Sequence, residues 1–135
     1  VKDLDFERLQ VTVREGKGDK DRMVPLPQQI VPDLQKQLIR VKAIFEEDRR
    51  NGVGPVWLPN ALAEKYPNAG TEWGWQWVFC SSRLSNDPRT PGVRRRHHIH
   101  ENLLQKAVRR AVVSAGFTKK VSCHTLRHSF ATHLL

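Results

Sequence analysis

The sequence predicts a mixed α+β domain, mostly helical. Three observations predict it. A β-rich alternating run near the start is followed by a polar turn with two glycines and a second apolar run. From Ile30 to Arg50, apolar residues recur every three or four positions. The same helical spacing returns twice in the last third of the chain.

Each element has a local reason. Residues 8–13, Arg8-Leu9-Gln10-Val11-Thr12-Val13, alternate and read as a strand. Residues 22–26, Arg22-Met23-Val24-Pro25-Leu26, read as a second, and Pro25 suits an edge position because it cannot donate to a ladder. Between them Gly16 and Gly18 supply the unusual backbone angles of a hairpin tip. Ile30, Leu34, Leu38, Val41 and Phe45 then line one face of a long helix that Asn51-Gly52 ends.

Residues 53–79 hold Trp57, Trp73, Trp75 and Trp77, with Tyr66. Asn60 is placed to cap a short helix through Lys65, and residues 76–80 suit a short strand. Residues 81–98 are polar and end in Arg94-Arg95-Arg96-His97-His98. Leu103, Leu104, Ala107, Val108, Ala111 and Val112 predict a helix over roughly 100–115, closed by Gly116. Ser122 is placed to cap a final helix with Leu126, Phe130 and Leu134 on one face.

At 135 residues the chain is one domain or part of one. Lys and Arg number 23 against 14 acidic residues, a formal charge of +9, so a polyanion, nucleic acid first, is the expected partner. No apolar run approaches the roughly 20 residues of a membrane span. Cys80 and Cys123 lack metal-type spacing and read as reduced thiols of a cytoplasmic protein. Val1 begins without an initiator Met and Leu135 falls inside an apolar repeat, so both ends read as cuts through a larger protein.

The chemistry concentrates in Ser122-Cys123-His124-Thr125-Leu126-Arg127-His128-Ser129-Phe130-Ala131-Thr132-His133-Leu134-Leu135. His124 and Arg127, three apart on a helix, share a face. A guanidinium grips a phosphate bidentately and an imidazole exchanges a proton near neutral pH. Together they suit a phosphodiester; taken alone, a His near a helix start is as readily a cap. His124, His128 and His133 with Cys123 invite a zinc reading, but a third ligand at metal spacing and a general-base Glu are missing, so no metal is expected. Lys17, at the hairpin tip with Lys20 nearby, can meet a phosphate and protonate a departing alkoxide; an isolated loop lysine would be merely solvated. The basic run 94–98 suits phosphate contact, or is a solvated loop. The tryptophans suit either a satellite core or base stacking, with members in each role.

The run from His124 to Leu135 resembles the box II signature of tyrosine recombinases, and Gly16-Lys17-Gly18-Asp19-Lys20-Asp21-Arg22 ahead of an apolar strand resembles their β-hairpin lysine motif. Leu58-Pro59-Asn60-Ala61-Leu62-Ala63-Glu64-Lys65-Tyr66-Pro67-Asn68-Ala69-Gly70, the run Trp75-Gln76-Trp77-Val78-Phe79, and Asp87-Pro88-Arg89 followed by Arg95-Arg96-His97-His98 look like integron integrases, the recombinases that capture gene cassettes.

The resemblance implies a partial tyrosine-recombinase catalytic-domain fold over 1–135, with 53–79 as the family-specific insertion. It implies that an N-terminal DNA-binding domain, a first arginine, a second histidine and the nucleophilic tyrosine lie outside this chain. Tyr66 has no claim to that role. The implied chemistry is attack of a tyrosine on the scissile phosphate, giving a 3′-phosphotyrosine and a 5′-hydroxyl, with no ATP, metal or other cofactor. Arg127 would stabilise the nonbridging oxygens, Lys17 protonate the leaving 5′-oxygen, and His124 support proton transfer.

The implied partners are a folded single-strand cassette hairpin and a duplex attachment site, bound by a tetramer of full-length subunits in the bacterial cytoplasm. Trp75 looks like the aromatic that stacks on an extrahelical base, His97 and His98 like the pair that holds another, and Arg94, Arg95, Arg96 and Lys20 would meet phosphates. This piece alone is expected to bind DNA and to be inactive. The competing readings are a non-catalytic DNA-binding module on the same scaffold, and a Xer-type or phage-type recombinase acting on duplex DNA.

Overall fold

The structure, a computed structural model, describes residues 1–14 and 20–133. It divides into two units, Val1–His98 and Ile99–Leu135.

The first unit opens with a three-stranded antiparallel sheet of β1 (Leu4–Asp5), β2 (Gln10–Val13) and β3 (Arg22–Pro25), in spatial order β1-β2-β3. Val11 pairs with Leu4 on one side and Val24 on the other. Val13 opposite Arg22 is the rung nearest the hairpin tip. Pro25 therefore sits on an edge strand, where its missing N–H leaves no ladder bond unmade.

A 3₁₀ turn, Gln28–Ile30, leads into α1 (Val31–Arg50). Pro32 near the helix start costs nothing there, because the first N–H groups have no intrahelical partner. The helix ends in a Schellman motif: the Gly52 N–H donates to the Arg49 carbonyl and the Val53 N–H to that of Asp48, with Gly52 at φ +66°.

The Trp-rich segment is part of the core. Of the buried apolar side chains among the described residues, Leu26 directly follows β3, Val41 lies on α1, and Val56 and Ala69 come from this segment. The Val56 N–H donates to the Gly70 carbonyl at 2.9 Å. A Cβ on Gly70 would lie 2.7 Å from the Val56 oxygen, so only glycine permits that approach.

α2 (Asn60–Lys65) starts one residue earlier than a cap at Asn60 requires. Pro59 occupies the cap position, and its carbonyl accepts from the Leu62 and Ala63 N–H groups. Two 3₁₀ turns follow, Ala69–Thr71 and Trp73–Trp75. The strand expected over 76–80 reduces to a single antiparallel bridge between Cys80 and His98. Gln76 is held in the preceding turn, its N–H bonded to the Trp73 carbonyl and its amide to those of Gly70 and Glu72. The polar stretch 81–98 folds into a small ribbon, with β4 (Ser85–Asn86) antiparallel to β5 (Arg94–Arg95).

The second unit contains α3 (Glu101–Ser114) and α4 (Cys123–His133), which pack together. The His100 side chain caps α3 by accepting from the Asn102 N–H. Gly116, at φ +67°, closes α3 with a second Schellman pair, Gly116 to Val113 and Phe117 to Val112. Among the described residues no helix is long and apolar enough to cross a membrane.

Candidate functional site

α4 carries the His-x-x-Arg pair. Ser122 Oγ accepts from the Thr125 N–H at 3.3 Å, and the Ser122 N–H donates to Thr125 Oγ1 at 3.2 Å. This reciprocal cap sets the helix start, and with it the register of its polar face. His124 and Arg127 follow within the first two turns, both exposed. The His124 and His128 rings meet edge to face, with centroids 5.4 Å apart. An exposed guanidinium and imidazole on one helical face can engage a phosphate from outside.

Lys17 lies outside the described residues. The described residues on either side of it carry ion pairs. Arg14 reaches Asp3 at 2.8 Å and Asp21 at 2.6 Å, beyond the last rung of the β2–β3 ladder. Burial would raise the Asp3 carboxyl, but Arg14 and Lys2 together hold it below its ordinary range. Lys20 is exposed beside this anchor.

The basic run 94–98 divides, and the expectation that all its cations face phosphate needs correction. Arg95 is buried: its Nε donates to Asp87 at 2.7 Å and its Nη1 to the Pro55 carbonyl. Arg96 forks onto Asp48 and also donates to the Ser81 carbonyl at 2.9 Å. A buried guanidinium must be paired, and these two are spent on carboxylates of the same chain. Arg94 and His98 are exposed and His97 is half-buried.

Asp87 also organises the ribbon turn, accepting from the Arg89 N–H at 2.9 Å. That backbone bond, reinforced by Arg95 against the opposing effect of burial, holds its carboxyl below the usual range. Asp48 lies 48 positions from Arg96, and Asp87 eight from Arg95. The only hint of either pairing in the sequence was the Asp-Pro-Arg motif at Asp87.

Each tryptophan meets a cation or a second ring. Arg89 lies 4.2 Å from the Trp57 ring centre and Lys42 4.7 Å from that of Trp73, which also packs on Phe45. Lys2 Nζ sits 4.4 Å over the half-buried Trp75 ring, and Tyr66 packs on it at 5.7 Å. Trp77 is 38% exposed and meets the His98 ring edge to face at 5.1 Å. The cluster is thus a satellite core with accessible members, each of three rings carrying a cation over its face. Burial pushes the Cys80 thiol up, so it is protonated at neutral pH.

The chain belongs to the phage integrase family, which it matches over residues 1–135. It is 52% identical to proteins named Integrase/recombinase from Escherichia coli and from Pseudomonas aeruginosa, across all of this chain and 40% of each of them. Tyrosine recombinase XerA of Pyrococcus furiosus is 30% identical over 137 positions, covering all of this chain and 33% of that protein. The chain therefore spans about two fifths of the length of the first two relatives.

Proposed function

We propose that this chain is the central part of the catalytic domain of an integron-type tyrosine recombinase, which in its full-length form integrates and excises gene cassettes. The observation that carries the reading is the exposed His124–Arg127 pair on a capped helix, within a chain of the phage integrase family. The integron type is supported by the Trp-rich segment, whose residues are woven into the core and end in the Trp77–His98 contact.

In this mechanism a tyrosine from the rest of the catalytic domain attacks the scissile phosphorus, forming the Tyr–phosphate bond as the P–O5′ bond breaks. Lys17 gives its proton to the departing 5′-oxygen. Arg127 donates to the nonbridging oxygens as charge grows on them, and His124 holds the phosphate and supports proton transfer. Trp75 stacks on an extrahelical base of a folded cassette strand, His97 and His98 hold another, and Arg94 and Lys20 contact the backbone. Full-length subunits act as a tetramer on DNA, and the 135-residue chain binds DNA without cleaving it.

Covalent trapping on a nicked substrate tests the chemistry. In the full-length parent, Arg127→Lys lowers phosphotyrosine adduct formation by about 100-fold or more. An unchanged adduct yield, or metal-independent cleavage by the 135-residue chain alone, contradicts the assignment.

A further inference from the structure

We propose that Asp48 is a positioning residue for the His97–His98 pair, acting through Arg96. The proposal rests on the reading above that this pair meets DNA. Its geometry starts from α1, a rigid helix of twenty residues. Asp48 near the helix end receives Arg96 Nε and Nη2 at 2.5 and 2.7 Å. Arg96 Nη1 donates onward to the Ser81 carbonyl, and the Ser81 N–H donates to the His97 carbonyl at 2.7 Å. The Cys80–His98 bridge and the Trp77–His98 ring contact complete the chain of contacts.

A second peg stands eleven residues earlier on α1, three helical turns away and so on nearly the same face. There the Gln37 amide donates to the Val78 carbonyl at 3.0 Å. Residues 78–81, directly after Trp77, are therefore tied to one helix at two points, at Val78 by Gln37 and at Ser81 through Arg96, and Arg96 couples the histidines to it. A bidentate Arg–carboxylate pair fixes orientation as well as distance, which a lysine at position 96 would not do.

The test is NMR of the 135-residue chain, reading the ring-current shift that Trp77 imposes on the His98 ring protons, with Trp77→Leu as the zero. Asp48→Asn and Arg96→Lys are expected to lose this shift, and Asp48→Glu to restore part of it. Leu26→Ala, which thins the core at the sheet, is expected to lower the melting temperature and keep the shift. Retention of the shift in both Asp48→Asn and Arg96→Lys overturns the proposal, as does its equal loss in Leu26→Ala. The same variants are then titrated with a bulged cassette hairpin and with its fully paired stem. The wild-type preference for the bulged DNA is expected to fall about fivefold or more in Asp48→Asn. A wild-type chain that shows the shift but no preference overturns the DNA reading and leaves the positioning role standing.

Discussion

Arg96 meets Asp48 through two parallel hydrogen bonds, and the pair ties the end of α1 to residues 48 positions further along the chain. The Asp48 carboxylate holds the Arg96 guanidinium above its ordinary pKa, and the two side chains retain little exposure. Removing one member leaves the other as a largely buried, unpaired charge.

Asp48→Ala is therefore expected to cost about 3 kcal/mol of folding stability, read as a lower urea midpoint. Asp33→Ala, on the exposed start of the same helix, is expected to change the midpoint little. Equal effects would contradict the structural role given to the Arg96 pair.

Acid should loosen the ribbon. The folded-state pKa of Asp87 is depressed, chiefly by the Arg89 N–H and then by Arg95, against burial. A depressed carboxylate contributes stability that is fully present above its unfolded value of about 3.9 and is lost as pH falls through the folded value. Stability measured from pH 7 downward should stay level until about pH 5 and then decline. Asp87→Asn should start lower at pH 7 and lose less across the acid range. Parallel curves for the two proteins would assign the acid limb to other carboxylates, among them Asp3, which Arg14 holds down in the same way.

Ser122 controls the helix that carries His124 and Arg127. Ser122→Ala removes the acceptor of the Thr125 N–H and is expected to cost about 1 kcal/mol. Hydrogen exchange should quicken at the first turn of α4 while protection in α1 is unchanged. Uniform quickening in both helices would mean the cap acts on the whole chain and not locally.

The exposed and buried members of the basic run should separate in DNA binding. Arg94→Ala is expected to weaken binding about equally for all DNAs and to reduce the salt slope by about 1. Arg95→Ala is expected to unfold the ribbon, seen as lost protection around Asp87 and Pro55, its partners inside the fold. A full salt-slope change with an intact fold in Arg95→Ala would show that its charge faces DNA after all.

The elements legible in the sequence were those whose signals are local. The hairpin strands, α1, α3 and the Gly52 and Gly116 ends follow from spacing and from glycine at positive φ. Ser122 follows from its place before an apolar repeat. What the sequence hid depends on contacts between distant residues. A two-residue ribbon such as β4–β5 has no periodicity to read. Arg96 meets Asp48 across 48 positions with no local signal, and Arg95 meets Asp87 across eight, marked only by the Asp-Pro-Arg motif, so two expected phosphate ligands serve as struts. His124 and Arg127 stand out in the sequence by type and spacing, and both are exposed on α4.

The central claim is that the Trp-rich segment reads bases that a folded single strand leaves unpaired. Fluorescence anisotropy of the chain with a bulged cassette hairpin and with the same stem fully paired, at several salt concentrations, tests it most directly. The account predicts tighter binding to the bulged hairpin at every salt, and loss of about 1–3 kcal/mol of that preference in Trp75→Ala. Equal, salt-steep binding to both DNAs, unaltered in Trp75→Ala, would contradict it.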